Sequence, residues 1–207
     1  RDDADLLTAQ EEAARYLNHL ARELPPKVLL QIGGHSKGGN LSVYAAAFVP
    51  PHVQQRILTA YSNDGPGFTR EFIEGKDYLA VKGRLRTLVP QSSVVGMLLE
   101  HREPYVVVKS RQIGVFQHDP YSWEIRRDNF VCLKGVTEGS RMMDQTVKTW
   151  LEEMTPSERS EIVDTVYDML QTAEADRVQE LAFAPSVRLE LDSAEYLVLD
   201  PLAEKPT

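Results

Sequence analysis

The pentapeptide Gly34-His35-Ser36-Lys37-Gly38 constrains this chain more than any other feature. It matches G-x-S-x-G, and its flanks give the match its meaning. Residues 27–33, Lys-Val-Leu-Leu-Gln-Ile-Gly, form a short apolar run suited to a strand. Residues 39–48 read as a helix that stops at Pro50-Pro51. Strand, sharp turn and helix in that order make a nucleophile elbow. The serine at its apex is held in strained backbone geometry, with its hydroxyl lifted clear of the sheet. The doubled glycines, Gly33-Gly34 and Gly38-Gly39, are expected to permit close helix–strand contact on either side of it. The helix would aim its first N–H groups at the same spot, with the backbone N–H of Lys37 as one half of an oxyanion hole. The plainer alternative is a glycine-rich turn with an incidental serine.

The rest of the chain fits an α/β fold. Residues 5–24 carry Leu6, Leu7, Ala13, Ala14, Leu17, Leu20 and Ala21 at helical spacing, and Pro25-Pro26 ends that helix. Residues 57–62, 85–89 and 105–109 read as further strands, and residues 130–133 as a short one. A helix and loop are expected over 69–80 and a helical turn over 94–101. Strands alternating with helices predict a parallel sheet, apolar on both faces and covered by helices on both. Residues 140–154 and 156–172 read as two amphipathic helices, and 187–199 as a strand or hairpin. The expected division is one domain over 1–183, including the helical segment 140–172, and a tail over 184–207.

Composition excludes some functions. The chain has 207 residues and a net charge of -8, which disfavours nucleic acid as a partner because phosphate would be repelled. No apolar run approaches the roughly 20 residues that span a bilayer, and the first residues show no signal-peptide pattern. The single cysteine, Cys132, cannot close an internal disulfide or build a cysteine metal cluster. It is expected to be a buried strand residue, and a reducing, cytoplasmic setting is the default. No metal or cofactor motif is present, so neither is expected.

Four segments carry a resemblance. They are residues 33–41 around the elbow, Asn63-Asp64-Gly65-Pro66-Gly67-Phe68, residues 90–98 and Gln117-His118-Asp119-Pro120-Tyr121-Ser122-Trp123. Through them the chain resembles the C-terminal part of an uncharacterised bacterial family of lipase-like α/β-hydrolases related to class 3 lipases. The likeness covers roughly residues 5–183. It implies a three-layer hydrolase sheet and a serine-hydrolase site. The strands that precede the elbow in such hydrolases have no counterpart here, nor does the loop that supplies the second oxyanion N–H. The expectation is a sheet lacking its N-terminal strands, completed by an upstream domain, another chain or self-association at the elbow strand's open edge.

Hydrolases of this kind run Ser, then Asp or Glu, then His along the chain. His19 and His52 read as surface residues, and the His35 side chain must point away from its neighbour Ser36. His118 and His101 remain as candidate bases, and His118 is favoured because it lies in the loop after the 105–109 strand. Asp64 is the candidate acid, with a purely structural Asx turn as its rival; Glu100 and Glu103 are reserves. Phe116, Tyr121 and Trp123 form an aromatic cluster that core packing would also explain. The expected function is a lipase- or esterase-type serine hydrolase acting on a small ester or lipid-like substrate. Two alternatives stand beside it. One is a weak or inactive hydrolase-fold protein that binds a partner through residues 140–172. The other is an acyltransferase or thioesterase using the same site.

Overall fold

The computed structural model describes residues 3–97 and 99–136. Their order is α1 (Asp3–Glu23), β1 (Leu30–His35), α2 (Lys37–Phe48), α3 (Pro51–Gln54), β2 (Ile57–Asn63), α4 (Arg70–Glu74), α5 (Lys76–Val81), β3 (Leu85–Pro90), β4 (Tyr105–Val108), β5 (Ile125–Arg126), β6 (Asn129–Phe130) and β7 (Cys132–Leu133). The expected helices over 140–154 and 156–172 and the tail over 187–199 lie outside the described residues. The first strand starts three residues later than its apolar run, because Val28 N–H bonds to the Pro25 carbonyl in a turn at 2.9 Å.

β1, β2, β3 and β4 lie side by side in that order and run parallel. β7 adds antiparallel to β4, which makes the sheet mixed rather than purely parallel. β5 and β6 pair separately as a small hairpin. The fold is therefore of the α/β class.

The chain steps from β1 to β2 to β3 in one direction. Crossovers of one hand then deposit their helices on one face. The main core is that face: Leu17 and Ala21 of α1, Val43, Ala46 and Ala47 of α2, and Tyr78 and Val81 of α5 pack with Ile57, Ala60 and Leu85 of the strands. Among the described residues no helix takes the other face. There Leu88 and Val108 pack against Trp123, with Tyr61 and Phe130 beside them. The expectation of helices on both faces is met on one face by the described residues. One expectation needs correcting: the strands are not apolar on both faces. Gln31, Gly33 and Leu58 are exposed, and only β3 approaches complete burial.

Arg56 joins the first helix to the sheet. Its guanidinium donates to the carbonyls of Ala21 at 2.5 Å, Val28 at 2.9 Å and Pro25 at 3.0 Å. The Ala21 carbonyl is one of those at the end of α1 that no helical N–H reaches, and the cation also suits the negative end of the helix dipole.

Cys132 occupies a strand, as expected, but it is exposed rather than buried. β7 is a two-residue strand at the end of the sheet order, and both of its residues are exposed. Partial desolvation still pushes the thiol up from its ordinary value. Trp123 is a core residue, whereas Phe116 and Tyr121 are exposed at 60% and 88%, so the three do not form one packed cluster.

Candidate functional site

Ser36 stands between β1 and α2 with φ 56° and ψ -127°. A non-glycine residue in that region is strained and persists only where its surroundings over-determine it. Here the surroundings are explicit. Ser36 N–H donates to the Asn63 carbonyl at 2.9 Å, and its carbonyl accepts from the N–H groups of Gly39 at 2.9 Å and Asn40 at 3.3 Å. The side chain makes no capping bond to the helix it precedes, and the residue is only half-buried. The Lys37 N–H, ahead of these two donors, is one of those a helix start leaves without an intrahelical acceptor.

The glycines of the pentapeptide are not equivalent. A Cβ on Gly34 would stand 2.3 Å from the carbonyl carbon of Gly38, so the turn closes only with hydrogen at that position. A Cβ on Gly38 would meet nothing within 4 Å. The expected close contact on both sides of the serine therefore holds at Gly34 and also at Gly39, whose Cβ would reach Ser62 Oγ at 2.8 Å, but not at Gly38.

Asp64 follows the carboxyl end of β2, the neighbour of the elbow strand, and is fully buried. Its φ is 50°. One carboxylate oxygen, Oδ2, lies 2.8 Å from His118 Nδ1. The other, Oδ1, accepts from Ser93 Oγ and from the Gly96 N–H at 3.1 Å. These bonds occupy the carboxylate with groups after β3 and β4, not with its own Gly-Pro-Gly turn. That turn is held instead by Asn40 of α2, whose Nδ2 donates to the carbonyls of Pro66 and Gly67, each at 3.1 Å. Gln10 of α1 fixes the Asn40 amide through a 2.7 Å bond to its oxygen.

His118 is 4% exposed and ends the 3₁₀ helix Gly114–His118, in the loop after β4. Its position is set from several sides. Gln117 Oε1 accepts from the Ser92 N–H at 2.9 Å, and the Trp123 indole donates to the Gln117 carbonyl at 2.9 Å. Asp119 Oδ1 caps the following turn by accepting from the Tyr121 N–H at 2.9 Å. The His35 ring lies 4.4 Å from the His118 ring, centroid to centroid, and its Nε2 donates to the His118 carbonyl at 2.7 Å. The His35 side chain is thus a direct tie between the strand-to-helix turn and the histidine loop.

His101 has a carboxylate partner too, Glu103, at 3.2 Å. That pair belongs to a different place. Glu103 also accepts from Tyr78 of α5 and Thr87 of β3, so it staples a helix, a strand and the loop before β4. Burial alone would raise the Glu103 pKa, but the bonds from His101, Thr87 and Tyr78 outweigh it and hold the group at about 2. Burial and the bond to Glu103 push the Tyr78 hydroxyl up from its ordinary value. Glu100 pairs with Arg70 at the surface, at 2.9 Å. His19 and His52 are exposed.

Ser36, Asp64, Ser93 and His118 thus come from the connections that follow β1, β2, β3 and β4. That carboxyl edge is where parallel sheets place their binding sites. Asn40, Ser93, Gly96 and His35 were not picked out beforehand as supports. An apolar groove of about 340 Å³ lined by Phe48, Phe72, Gly75 and Tyr78 lies on the helical face and takes none of these residues. Among the described residues no group of three His, Cys, Asp or Glu side chains could hold a metal ion, and no helix is long and apolar enough to cross a membrane.

The molecule is thus an α/β protein with a strained serine and a buried aspartate–histidine pair at the carboxyl edge of its sheet. The chain belongs to the Mbeg1-like family, whose model matches residues 4–168. This corrects the resemblance drawn from the motifs: the matching family is Mbeg1-like, and no lipase or α/β-hydrolase family matches. The resemblance rested on four short segments, and short segments mark a local geometry without naming a family. No curated protein and no solved structure matches the chain.

Proposed function

We propose that this protein is a serine hydrolase of lipase or esterase type, cleaving an ester or related acyl bond. The observation that carries the reading is the buried 2.8 Å contact of His118 Nδ1 with Asp64 Oδ2, tied through His35 to a serine held in strained backbone geometry. The same reading takes the sheet, with its elbow, as hydrolase-like in arrangement and in layering.

In this mechanism Ser36 Oγ attacks the acyl carbonyl carbon, and His118 Nε2 takes the serine proton. Nδ1 is committed to Asp64, so Nε2 is the nitrogen left for proton transfer. The carbonyl oxygen becomes an oxyanion facing the start of α2, where the Lys37 N–H stabilises it. Collapse expels the alcohol, which receives the proton from His118, and leaves an acyl ester on Ser36. Water then attacks that ester with His118 again as base. The acid departs and Ser36 recovers its proton. Asp64 holds the imidazole in the required tautomer and stabilises the imidazolium formed in each half. A small ester or lipid-like substrate suits this chemistry. A cytoplasmic location belongs to the same proposal, supported by a single cysteine that cannot form an internal disulfide.

The test is labelling by a fluorophosphonate probe and hydrolysis of p-nitrophenyl esters, each compared between the wild type and Ser36→Ala. Activity and labelling that both depend on Ser36 support the proposal. Hydrolysis unchanged in the variant removes Ser36 from the chemistry.

A further inference from the structure

We propose that Ser93 is a positioning residue that aims Asp64 at His118. The inference rests on the reading of Asp64 and His118 as an acid–base pair, and adds a residue that the reading does not require.

Asp64 is completely buried, and a buried carboxylate needs donors to remain ionised. His118 supplies one of them, at Oδ2. Ser93, itself 6% exposed, supplies another at Oδ1 from the loop after β3. The Gly96 N–H serves that same oxygen at 3.1 Å and also reaches Ser93 Oγ at 3.0 Å. The direction of the serine bond follows from the partners. An ionised carboxylate can only accept, so the one hydroxyl proton of Ser93 goes to Asp64, while Ser93 Oγ accepts from Gly96. Two donors on one oxygen fix the rotation of the carboxylate about its last bond. The second oxygen then has one direction available, which is toward His118.

The site is built closely enough for this to matter. A Cβ on Gly96 would stand 2.3 Å from Asp64 Oδ1 and 2.9 Å from Ser93 Oγ, so the backbone can approach the carboxylate only as glycine. If Ser93 served packing alone, its loss would cost stability and leave the aim of Asp64 untouched. If it positions Asp64, its loss frees the carboxylate to rotate and weakens the bond to His118.

The experiment compares Ser93→Ala and Ser93→Thr with the wild type in three readouts. They are kcat and KM on a p-nitrophenyl ester, thermal midpoint, and the low-field proton resonance of His118 Nδ1–H by NMR. Ser93→Ala is expected to lower kcat by roughly tenfold to a hundredfold, as loss of one bond to a charged group implies, with KM unchanged. Its Nδ1–H resonance is expected to broaden by exchange with water. Ser93→Thr keeps the hydroxyl and is expected to keep both kcat and the resonance. An alanine variant with wild-type kcat and an unchanged resonance overturns the inference. So does one whose only change is a lower thermal midpoint. Failure of the hydrolase reading would look different: the wild type would show no Ser36-dependent turnover, and the resonance would decide the role of Ser93 alone.

Discussion

Asp64 Oδ2 and His118 Nδ1 meet at 2.8 Å across 54 residues of chain, with both side chains buried. Three consequences follow from that contact. The imidazole has one nitrogen committed and one left for chemistry. The carboxylate fixes which tautomer is present. And the loop after β4 is held against the segment after β2, next to the elbow.

Converting the acid to an amide tests that relationship. Asp64→Asn preserves shape but offers His118 a donor as readily as an acceptor. The expected loss in kcat is on the order of ten-thousandfold, as for a triad acid made neutral. His101→Ala should leave kcat near the wild-type value, because His101 bonds to Glu103 and serves a structural staple. Ester kinetics on purified variants check both. A larger loss from His101→Ala than from Asp64→Asn would contradict the assignment.

The elbow glycines should separate in their tolerance. Gly34→Ala puts a methyl 2.3 Å from backbone that cannot retreat, and is expected to cost about 3 kcal/mol or more of stability. Gly38→Ala meets nothing within 4 Å and lies in α2, where alanine gains up to about 1 kcal/mol over glycine. Thermal melts of the two variants provide the comparison. Equal midpoints would mean that the turn relaxes in a way the close approach of Gly34 to Gly38 does not allow.

The Glu103 staple predicts an acid limb in stability. Its carboxyl is held at about 2, below the 4.5 of an unperturbed glutamate. A depressed folded value means that the stabilisation is fully present above about pH 4.5 and fades as pH falls toward 2. The shift corresponds to about 3 kcal/mol at pH 6, of which roughly half is gone by pH 3. Urea unfolding of wild type and Glu103→Gln at the two pH values reads this directly. The gap between them should narrow on acidification. A gap that stays constant would show that the charge of Glu103 contributes little.

How much of this was legible in the sequence depended on whether a signal is local. The strands announced themselves as apolar runs ended by glycine or proline, and the elbow as a strand–turn–helix succession. Asp64 and His118 were reached through chain order, since one stands just past β2 and the other lies in the loop that follows β4. His35, Ser93 and Gly96 were not reachable that way, because their roles depend on residues 29 to 83 positions distant. Cys132 misled because apolar neighbours in sequence do not ensure cover on an edge strand two residues long. Alternation of strands and helices gives the class, but the direction in which strands are added decides which face each crossover helix occupies. The family named from the motifs was not the one that matches, because a short catalytic-type motif marks a geometry without naming a family.

The most direct measurement is labelling of the protein by a fluorophosphonate probe, with the modified residue located by mass spectrometry and ester turnover followed in parallel. The account predicts modification at Ser36, loss of labelling in Ser36→Ala, and a fall in turnover on the order of a millionfold in that variant, as for loss of a triad nucleophile. A wild-type protein that remains unlabelled while correctly folded, or a Ser36→Ala variant that hydrolyses esters at the wild-type rate, would contradict it.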